Sequence, residues 1–220
     1  MIIDERLSLF IDALEWKLPE PLMALEKEAL QEQVPIIRRP MQTFLGFLLG
    51  LVQPENILEI GAAVGFSSIL MSEYVPETTQ ITTIEKVPAR IRAAKTNFRK
   101  YQKKDRIQLL EGDAAQVLQE LAEQGRQFDF IFMDAAKGQY MNFLPDILKM
   151  LENNGILVTD NVLQDGEVIQ SRYAVNRRDR TIHGRMREFL YYLTHSEELD
   201  TVILPVGDGI TVSRRISQRK

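Results

Sequence analysis

Leu58-Glu59-Ile60-Gly61-Ala62-Ala63-Val64-Gly65-Phe66-Ser67 decides how the rest of the chain is read. Ile57, Leu58 and Ile60 form a short apolar run of strand type. Gly61 to Gly65 turns the chain, and from Phe66 onward the spacing is helical. Strand, small-residue turn and helix are the first half of a nucleotide-type βαβ unit. Glycine lets a ligand approach the backbone, because no Cβ intervenes. About 20 residues further on, the apolar run Ile81-Thr82-Thr83-Ile84 ends at Glu85, where an acid can bind ribose hydroxyls. The dinucleotide pattern G-x-G-x-x-G is broken by Ala63, and the helix start lacks the Gly-Lys-Ser/Thr of a phosphate loop. The turn therefore suits an adenosine ligand without a pyrophosphate, or else it is an ordinary strand-to-helix turn.

Downstream, strands and helices alternate. Strands are expected at 56–60, 81–85, 107–111, 128–133, 155–159, 201–206 and 209–215, and helices near 66–74, 88–103, 113–124, 138–151 and 184–195. Such alternation specifies an α/β fold, a mostly parallel sheet with helices on both faces. Gly207-Asp208 separates the last two strands as a hairpin turn would, so the final strand is expected antiparallel. Upstream, residues 1–40 form a helical extension on what is otherwise a single domain, 1–220. Leu7, Phe10, Ile11 and Leu14 share a helix face; Pro19 and Pro21 interrupt the pattern, which resumes from about Leu22 to Gln33. This extension is expected to pack on the domain or on a second subunit, as in a homodimer. A third helix, Met41 to Val52, carries Phe44, Phe47, Leu48 and Leu51 as its expected core stripe.

A chain of 220 residues is long enough for one α/β domain with a sizeable core. It has no cysteine, which excludes disulfides, thiolate metal sites and cysteine nucleophiles, and its two histidines argue against a histidine-rich metal site. No apolar run reaches membrane-spanning length and no signal pattern opens the chain, so a cytoplasmic enzyme is expected. A net charge of −4 argues against indiscriminate nucleic-acid binding while leaving room for a local basic patch.

Acidic residues gather at the carboxyl ends of the expected strands, where open α/β sheets bind ligands. They are Glu59, Glu85, Asp113, Asp134 and the pair Asp160-Asn161. One strand-end aspartate is commonly a helix cap, but five successive strands with a polar end point to one polar edge. Asp134, Asp160 and Asn161 offer hard oxygen ligands that suit Mg2+ or Ca2+; the alternatives are an N-cap at Asp134 and a turn dipeptide at Asp160-Asn161. Lys137, three residues past Asp134, is a general-base candidate if a cation and a sulfonium depress its proton affinity, and a surface lysine otherwise.

Taken together, these stretches resemble the class I S-adenosylmethionine-dependent methyltransferases, and within them the cation-dependent O-methyltransferases related to catechol and caffeoyl-coenzyme A O-methyltransferases. The resemblance rests on Glu59 to Ser67, Glu85, Gly112-Asp113-Ala114, Met133-Asp134-Ala135-Ala136-Lys137 with Tyr140, Asp160-Asn161-Val162-Leu163 and Pro205-Val206-Gly207-Asp208-Gly209. It implies a Rossmann-like sheet of seven strands with an antiparallel last strand. It also implies an S-adenosylmethionine site formed by Met41, Glu59, Gly61, Ala62, Gly65, Ser67, Glu85, Asp113, Ala114 and Asp134. Within that site Ser67 holds the methionine carboxylate, Glu85 the ribose hydroxyls, and Asp113-Ala114 lie near the adenine. Asp134, Asp160 and Asn161 bind Mg2+, and Lys137 takes the proton from the substrate hydroxyl. Two departures bear on the acceptor: Ala135-Ala136 stand where the animal catechol enzyme has His-Trp, and Met41-Gln42 where the plant type has Gly-Gln.

Arg172, Arg177, Arg178, Arg180, Arg185 and Arg187 fall in one segment after the Asp160-Asn161 loop, with Asp179 the only acid among them. Guanidinium forks bind phosphates bidentately, and Tyr173 can stack on a base; the plainer reading is a solvated or dimer-contact loop. The length, the Ala135-Ala136 pair and this arginine-rich insertion resemble a bacterial subgroup that methylates 5-hydroxyuridine at the tRNA wobble position. The resemblance implies an anticodon-loop partner met by Arg38, Arg172, Tyr173, Arg177 and Arg178. The alternative acceptor is a small vicinal-oxygen compound, a catechol or an acyl-coenzyme A phenol.

Overall fold

The computed structural model describes residues 5–14, 18–171 and 173–217. Its seven strands form one sheet in the order β3-β2-β1-β4-β5-β7-β6, with β1 Asn56–Ile60, β2 Gln80–Glu85, β3 Ile107–Glu111, β4 Phe128–Met133, β5 Leu151–Thr159, β6 Leu199–Leu204 and β7 Ile210–Arg215. The chain divides into two compact units, Arg6–Val117 and a second that runs from Leu118 onward.

In the first unit, α1 (Glu5–Leu14), α2 (Glu20–Gln31) and α3 (Arg39–Val52) precede β1; α4 (Phe66–Glu73) and α5 (Pro88–Lys100) follow β1 and β2. The strands β1, β2 and β3 are parallel, and Ile60 pairs with Ile84 while Glu85 pairs with Glu111. Ile57, Leu58, Ile60, Ile81 and Ile84 are fully or almost fully buried, as are Ile69, Leu70 and Met71 of α4. Burying each such side chain stabilises by roughly 1.5–3 kcal/mol. Pro21 begins α2 rather than breaking it: it stands in the first turn, where a missing N–H costs nothing.

The stripe expected to face the core on α3 is wrong. Met41, Leu45 and Leu49 are the buried positions, whereas Phe47 and Leu51 are each 71 % exposed. The helix is apolar nearly all round, so two stripes satisfy the helical period. The packed face is the one with the small residue: a Cβ on Gly46 would lie 2.8 Å from the Tyr74 ring. On α1, Leu7, Phe10, Ile11 and Leu14 do share a face, and all four are exposed.

The second unit contains the end of α6 (Ala114–Glu123), α7 (Tyr140–Met150) and α8 (Arg180–His195) with β4 to β7. Phe128, Phe130, Phe132 and Met133 of β4 are buried against solvent almost completely, as are Leu157 and Val158 of β5 and Met186, Phe189 and Leu193 of α8. β4 and β5 are parallel, and β7 runs antiparallel to both of its neighbours. β5 starts four residues earlier than expected. Leu151 pairs with Phe128, the register then shifts, and Glu152-Asn153-Asn154 form an irregular stretch with Asn154 at φ +65° before pairing resumes at Ile156. The strand thus begins before the expected 155 because Leu151 already pairs with β4 ahead of this irregular stretch. α8 starts at Arg180, four residues before the expected 184, with Gly184 inside the helix. β6 ends before Pro205, and a five-residue connection, 205–209, replaces the expected Gly207-Asp208 hairpin turn.

Candidate active site

In the first unit the candidate ligand site is the turn after β1. Gly61 (φ +108°), Ala63 (φ +46°) and Gly65 (φ +82°) all have left-handed backbone, which folds the segment tightly enough for the Gly65 N–H to reach the Ala62 carbonyl at 2.7 Å. Two features favour glycine at 65: its φ of +82° strains any residue with a side chain, and a Cβ would lie 2.5 Å from the Phe98 ring. The N–H groups of Gly61 and Ala62 both donate to the Ile84 carbonyl, and Asn97 holds the Val64 carbonyl at 2.8 Å.

Glu85 organises this turn. Its Oε2 accepts the Ala63 N–H at 2.9 Å, and its Oε1 accepts the N–H groups of Lys86 and Val87 at 2.8 and 2.9 Å. A carboxylate has about four acceptor positions, so Glu85 retains acceptor capacity beyond these three donors. Glu59 is fully buried and accepts the hydroxyls of Ser68 and of its register partner Thr83, which makes it a brace beneath the turn. Ser67, in the first turn of α4, is almost buried. Asp113 is half-exposed; the Ala115 N–H and then Lys86, at 3.1 Å, hold its pKa below the usual carboxylate value. Ala114 opens α6 beside it. Met41 is a core residue at 1 % exposure, and its neighbour Gln42 is tied to Glu26 and the Ile37 carbonyl. Arg38 is exposed at the N-cap position of α3.

In the second unit a polar cluster stands at the ends of β4 and β5. Met133 and Thr159 are register partners, so the next residues, Asp134 and Asp160, leave adjacent strands at one level. Asn161 has φ +63°, a conformation asparagine tolerates better than most residues. It aims its Nδ2 at Asp134 Oδ1, 3.1 Å away, while its backbone N–H donates to Asp160 Oδ1 at 2.7 Å. Burial raises the pKa of Asp134, opposed by the Asn161 bond and the Lys137 charge. Burial and then repulsion from Asp134 push Asp160 up to about 7, with Asp208 adding to the effect. Lys137 is half-buried and opens the 3₁₀ turn Lys137–Gln139.

Two supports of this cluster carried no assigned role in the sequence. Tyr140 is completely buried; its hydroxyl donates to the Asp160 carbonyl at 3.0 Å, and its ring meets Phe189 edge-on at 5.4 Å. Burial, together with the charges of Asp134 and Asp160, raises its pKa well above that of ordinary tyrosine. Asp208 is buried in the β6–β7 connection, whose backbone clasps the metal-type loop: Val162 and Leu163 donate to the carbonyls of Gly209 and Asp208 at 2.9 Å each. Gly209 cannot be replaced there, since a Cβ would collide with Leu163 at 2.2 Å. The signal for both lay in the Lys137-x-x-Tyr140 and Gly207-Asp208-Gly209 stretches, whose spacing alone does not say what they hold.

The donor set fits a hard divalent cation. Two desolvated carboxyls held side by side resist joint ionisation, and a cation removes that penalty. Among the described residues no group of three His, Cys, Asp or Glu side chains converges as a preformed ligand set; here the third donor is an amide.

The arginine segment is less uniform than its sequence suggests. Arg180 donates to the carbonyls of Val175 and Tyr173, Arg185 to Gly138 and Arg187 to Val168. Arg178 pairs with Asp179 at 3.3 Å. Arg177 and Tyr173 are exposed, Tyr173 at 85 %, with the Arg180 guanidinium 6.0 Å from its ring centroid. Arg172 lies outside the described residues.

A family model described as O-methyltransferase matches residues 15–216. The chain belongs to the O-methyltransferase family. It is 30 % identical over 204 residues to caffeoyl-CoA O-methyltransferase 1 of Eucalyptus globulus, covering 90 % of this chain and 83 % of that protein. It is likewise 30 % identical to the tapetum-specific methyltransferase 1 of Arabidopsis thaliana, over 79 % of this chain and 75 % of the relative. A Podospora anserina methyltransferase structure bound to SAH superimposes with a TM-score of 0.83 at 29 % identity, covering 96 % of this chain and 94 % of the other. A Bacillus cereus O-methyltransferase in complex with SAH has the same TM-score at 22 % identity and shares the fold. No helix among the described residues is long and apolar enough to cross a membrane.

Proposed function

We propose that this O-methyltransferase uses S-adenosylmethionine and a divalent cation to methylate a hydroxyl that has a second oxygen beside it. The observation that carries the reading is the paired, desolvated Asp134 and Asp160 with Asn161 between them and Lys137 three residues on. The donor is held by the Gly61–Gly65 turn, by Glu85 through its remaining acceptor positions to the ribose hydroxyls, and by Ser67 to the carboxylate. Asp113-Ala114 border the adenine.

Asp134, Asp160 and Asn161 would hold Mg2+, and that ion would supply Lewis-acid chemistry at the acceptor hydroxyl. Lys137 accepts the proton from the acceptor hydroxyl. Tyr140 and the 205–209 connection keep the two aspartates at one level. No protein nucleophile is required, so alignment and fixed charge account for most of the rate.

For the acceptor, the reading is 5-hydroxyuridine at the tRNA wobble position, where O5 and O4 form the vicinal pair. Its support is an exposed tyrosine among exposed arginines, the chemistry that meets splayed bases and phosphates. Arg177, Arg178 and Tyr173 carry this contact, while Arg180, Arg185 and Arg187 donate to backbone carbonyls. The caffeoyl-CoA relatives favour a second reading, a small phenolic acceptor. Replacing Arg177 and Arg178 together by alanine separates the two. The tRNA reading expects a raised KM for tRNA, an unchanged rate on free 5-hydroxyuridine, and inhibition by tRNA but not by free coenzyme A. An unaltered KM for tRNA would transfer the assignment to the small acceptor. The exposed faces of α1 and α3 are proposed to be covered by a second copy of the chain.

A further inference from the structure

We propose that Arg185 is a positioning residue for Lys137. Read as sequence, Arg185 is one of a run of anion-binding arginines. In the fold it is exposed and lies along the surface: its Nη1 donates to the Gly138 carbonyl at 2.8 Å, within the 3₁₀ turn whose first residue is Lys137. This is a charge-assisted bond, the stronger class of hydrogen bond to a backbone acceptor.

The contact is part of a larger clasp. On α8, Arg185 and Phe189 stand four residues apart and so share a face. Phe189 meets the Tyr140 ring edge-on at 5.4 Å. Ile182, one turn earlier, lies where a Cβ on Gly138 would be 3.7 Å from its Cγ1. One helix face thus holds both ends of the segment from Lys137 to Tyr140. At the far end Tyr140 also donates to the Asp160 carbonyl, so that end is fixed twice. At the near end Arg185 is the side chain that fixes the backbone. The element between them is a single 3₁₀ turn, whose i→i+3 bonds, such as Gln139 N–H to Ala136 at 2.8 Å, have poorer geometry than those of an α-helix. Such a turn is held by its neighbours, and the clasp sets the direction in which Lys137 leaves the backbone. Displacement of a reacting group by about 1 Å can lower a rate by about a hundredfold.

This inference rests on Lys137 acting as the base, and the test separates the two ideas. Arg185→Ala, Arg185→Lys, Lys137→Ala and the Arg185→Ala/Lys137→Ala pair are assayed with S-adenosylmethionine, Mg2+ and tRNA carrying 5-hydroxyuridine, and in parallel with catechol. Hydrogen exchange is followed at the amides of residues 137–140. The clasp expects Arg185→Ala to lower kcat about tenfold or more while the KM values for donor and acceptor stay within about twofold. Exchange at 137–140 should accelerate about tenfold, and Arg185→Lys should restore part of both. In the Lys137→Ala background, adding Arg185→Ala should change kcat by less than about twofold, because the group being positioned is gone. Additive losses in that pair, or unchanged exchange at 137–140, overturn the proposal. Full activity of Lys137→Ala overturns it too, and marks the base assignment as the failed step if exchange still responds to Arg185→Ala.

Discussion

Replacing Gly65 by alanine tests the turn on which the donor site depends. Two costs are legible. A non-glycine residue at φ +82° pays about 1–2 kcal/mol for left-handed backbone. The new Cβ would also lie 2.5 Å from Phe98 Cε1, closer than Cβ atoms pack, so the ring has to retreat by roughly an ångström in a buried site; overpacking of this kind costs about 1–3 kcal/mol. The sum, about 2–5 kcal/mol, corresponds to a fall in Tm of roughly 5–15 °C for a chain of this size. Only the second cost involves Phe98. Phe98→Leu removes the colliding ring atoms, so the double variant should be more stable than the sum of the single losses by about 1–2 kcal/mol. Urea titration of the four proteins measures this, and titration calorimetry with S-adenosylmethionine follows the binding loss. Strict additivity, or a Gly65→Ala protein that melts like wild type, would refute the steric account of the turn.

Further expectations follow from the same geometry. Glu85→Ala should weaken S-adenosylmethionine binding about ten- to a hundredfold, the loss of charge-assisted bonds to ribose worth about 1.5–3 kcal/mol, and should lower Tm as the Ala63, Lys86 and Val87 N–H groups lose their acceptor; calorimetry showing an unchanged Kd sinks the assignment. Asp160 binds its proton up to about pH 7 in the metal-free fold against 3.8 for an ordinary carboxyl, so its contribution to stability is complete below pH 3.8 and is lost as pH rises through about 7. Mg2+ competes with that proton, so the gain in Tm from saturating Mg2+ should be larger at pH 8 than at pH 6; an equal gain at both contradicts Asp160 as a ligand. With Phe47 and Leu51 covered by a second copy, light scattering should find a dimer that Phe47→Glu dissociates, and a monomeric wild type at micromolar concentration removes that interface.

The sheet was legible because β1 to β5 are each an apolar run closed by a turn and followed by a helical period. Legible too were the acids at strand ends, since position in an open α/β sheet already says which end faces ligand. Periodicity failed where a segment is apolar on every side: α3 offers two stripes, and only Gly46 against Tyr74 tells which is packed. It failed again at the start of β5, where Leu151 pairs with Phe128 ahead of a register shift and the strand begins four residues before the expected 155. Roles that depend on a partner far along the chain were not legible. Glu59 looks like a ligand-facing acid and is bonded to Ser68 and Thr83. Arg180, Arg185 and Arg187 look like a phosphate-binding run and hold carbonyls of three different loops. A charge pattern records which groups are present; which of them are already satisfied is decided by the fold.

Methyl transfer itself is the most direct test of the proposed function. The protein is incubated with radiolabelled S-adenosylmethionine and tRNA carrying wobble 5-hydroxyuridine, with Mg2+ or with EDTA, beside an Asp160→Ala variant whose S-adenosylmethionine binding is checked by calorimetry. Label should enter the tRNA with Mg2+, should not enter it with EDTA, and should not enter it with Asp160→Ala although the donor still binds. Equal incorporation with Mg2+ and with EDTA would contradict a cation-assisted transfer at Asp134, Asp160 and Asn161.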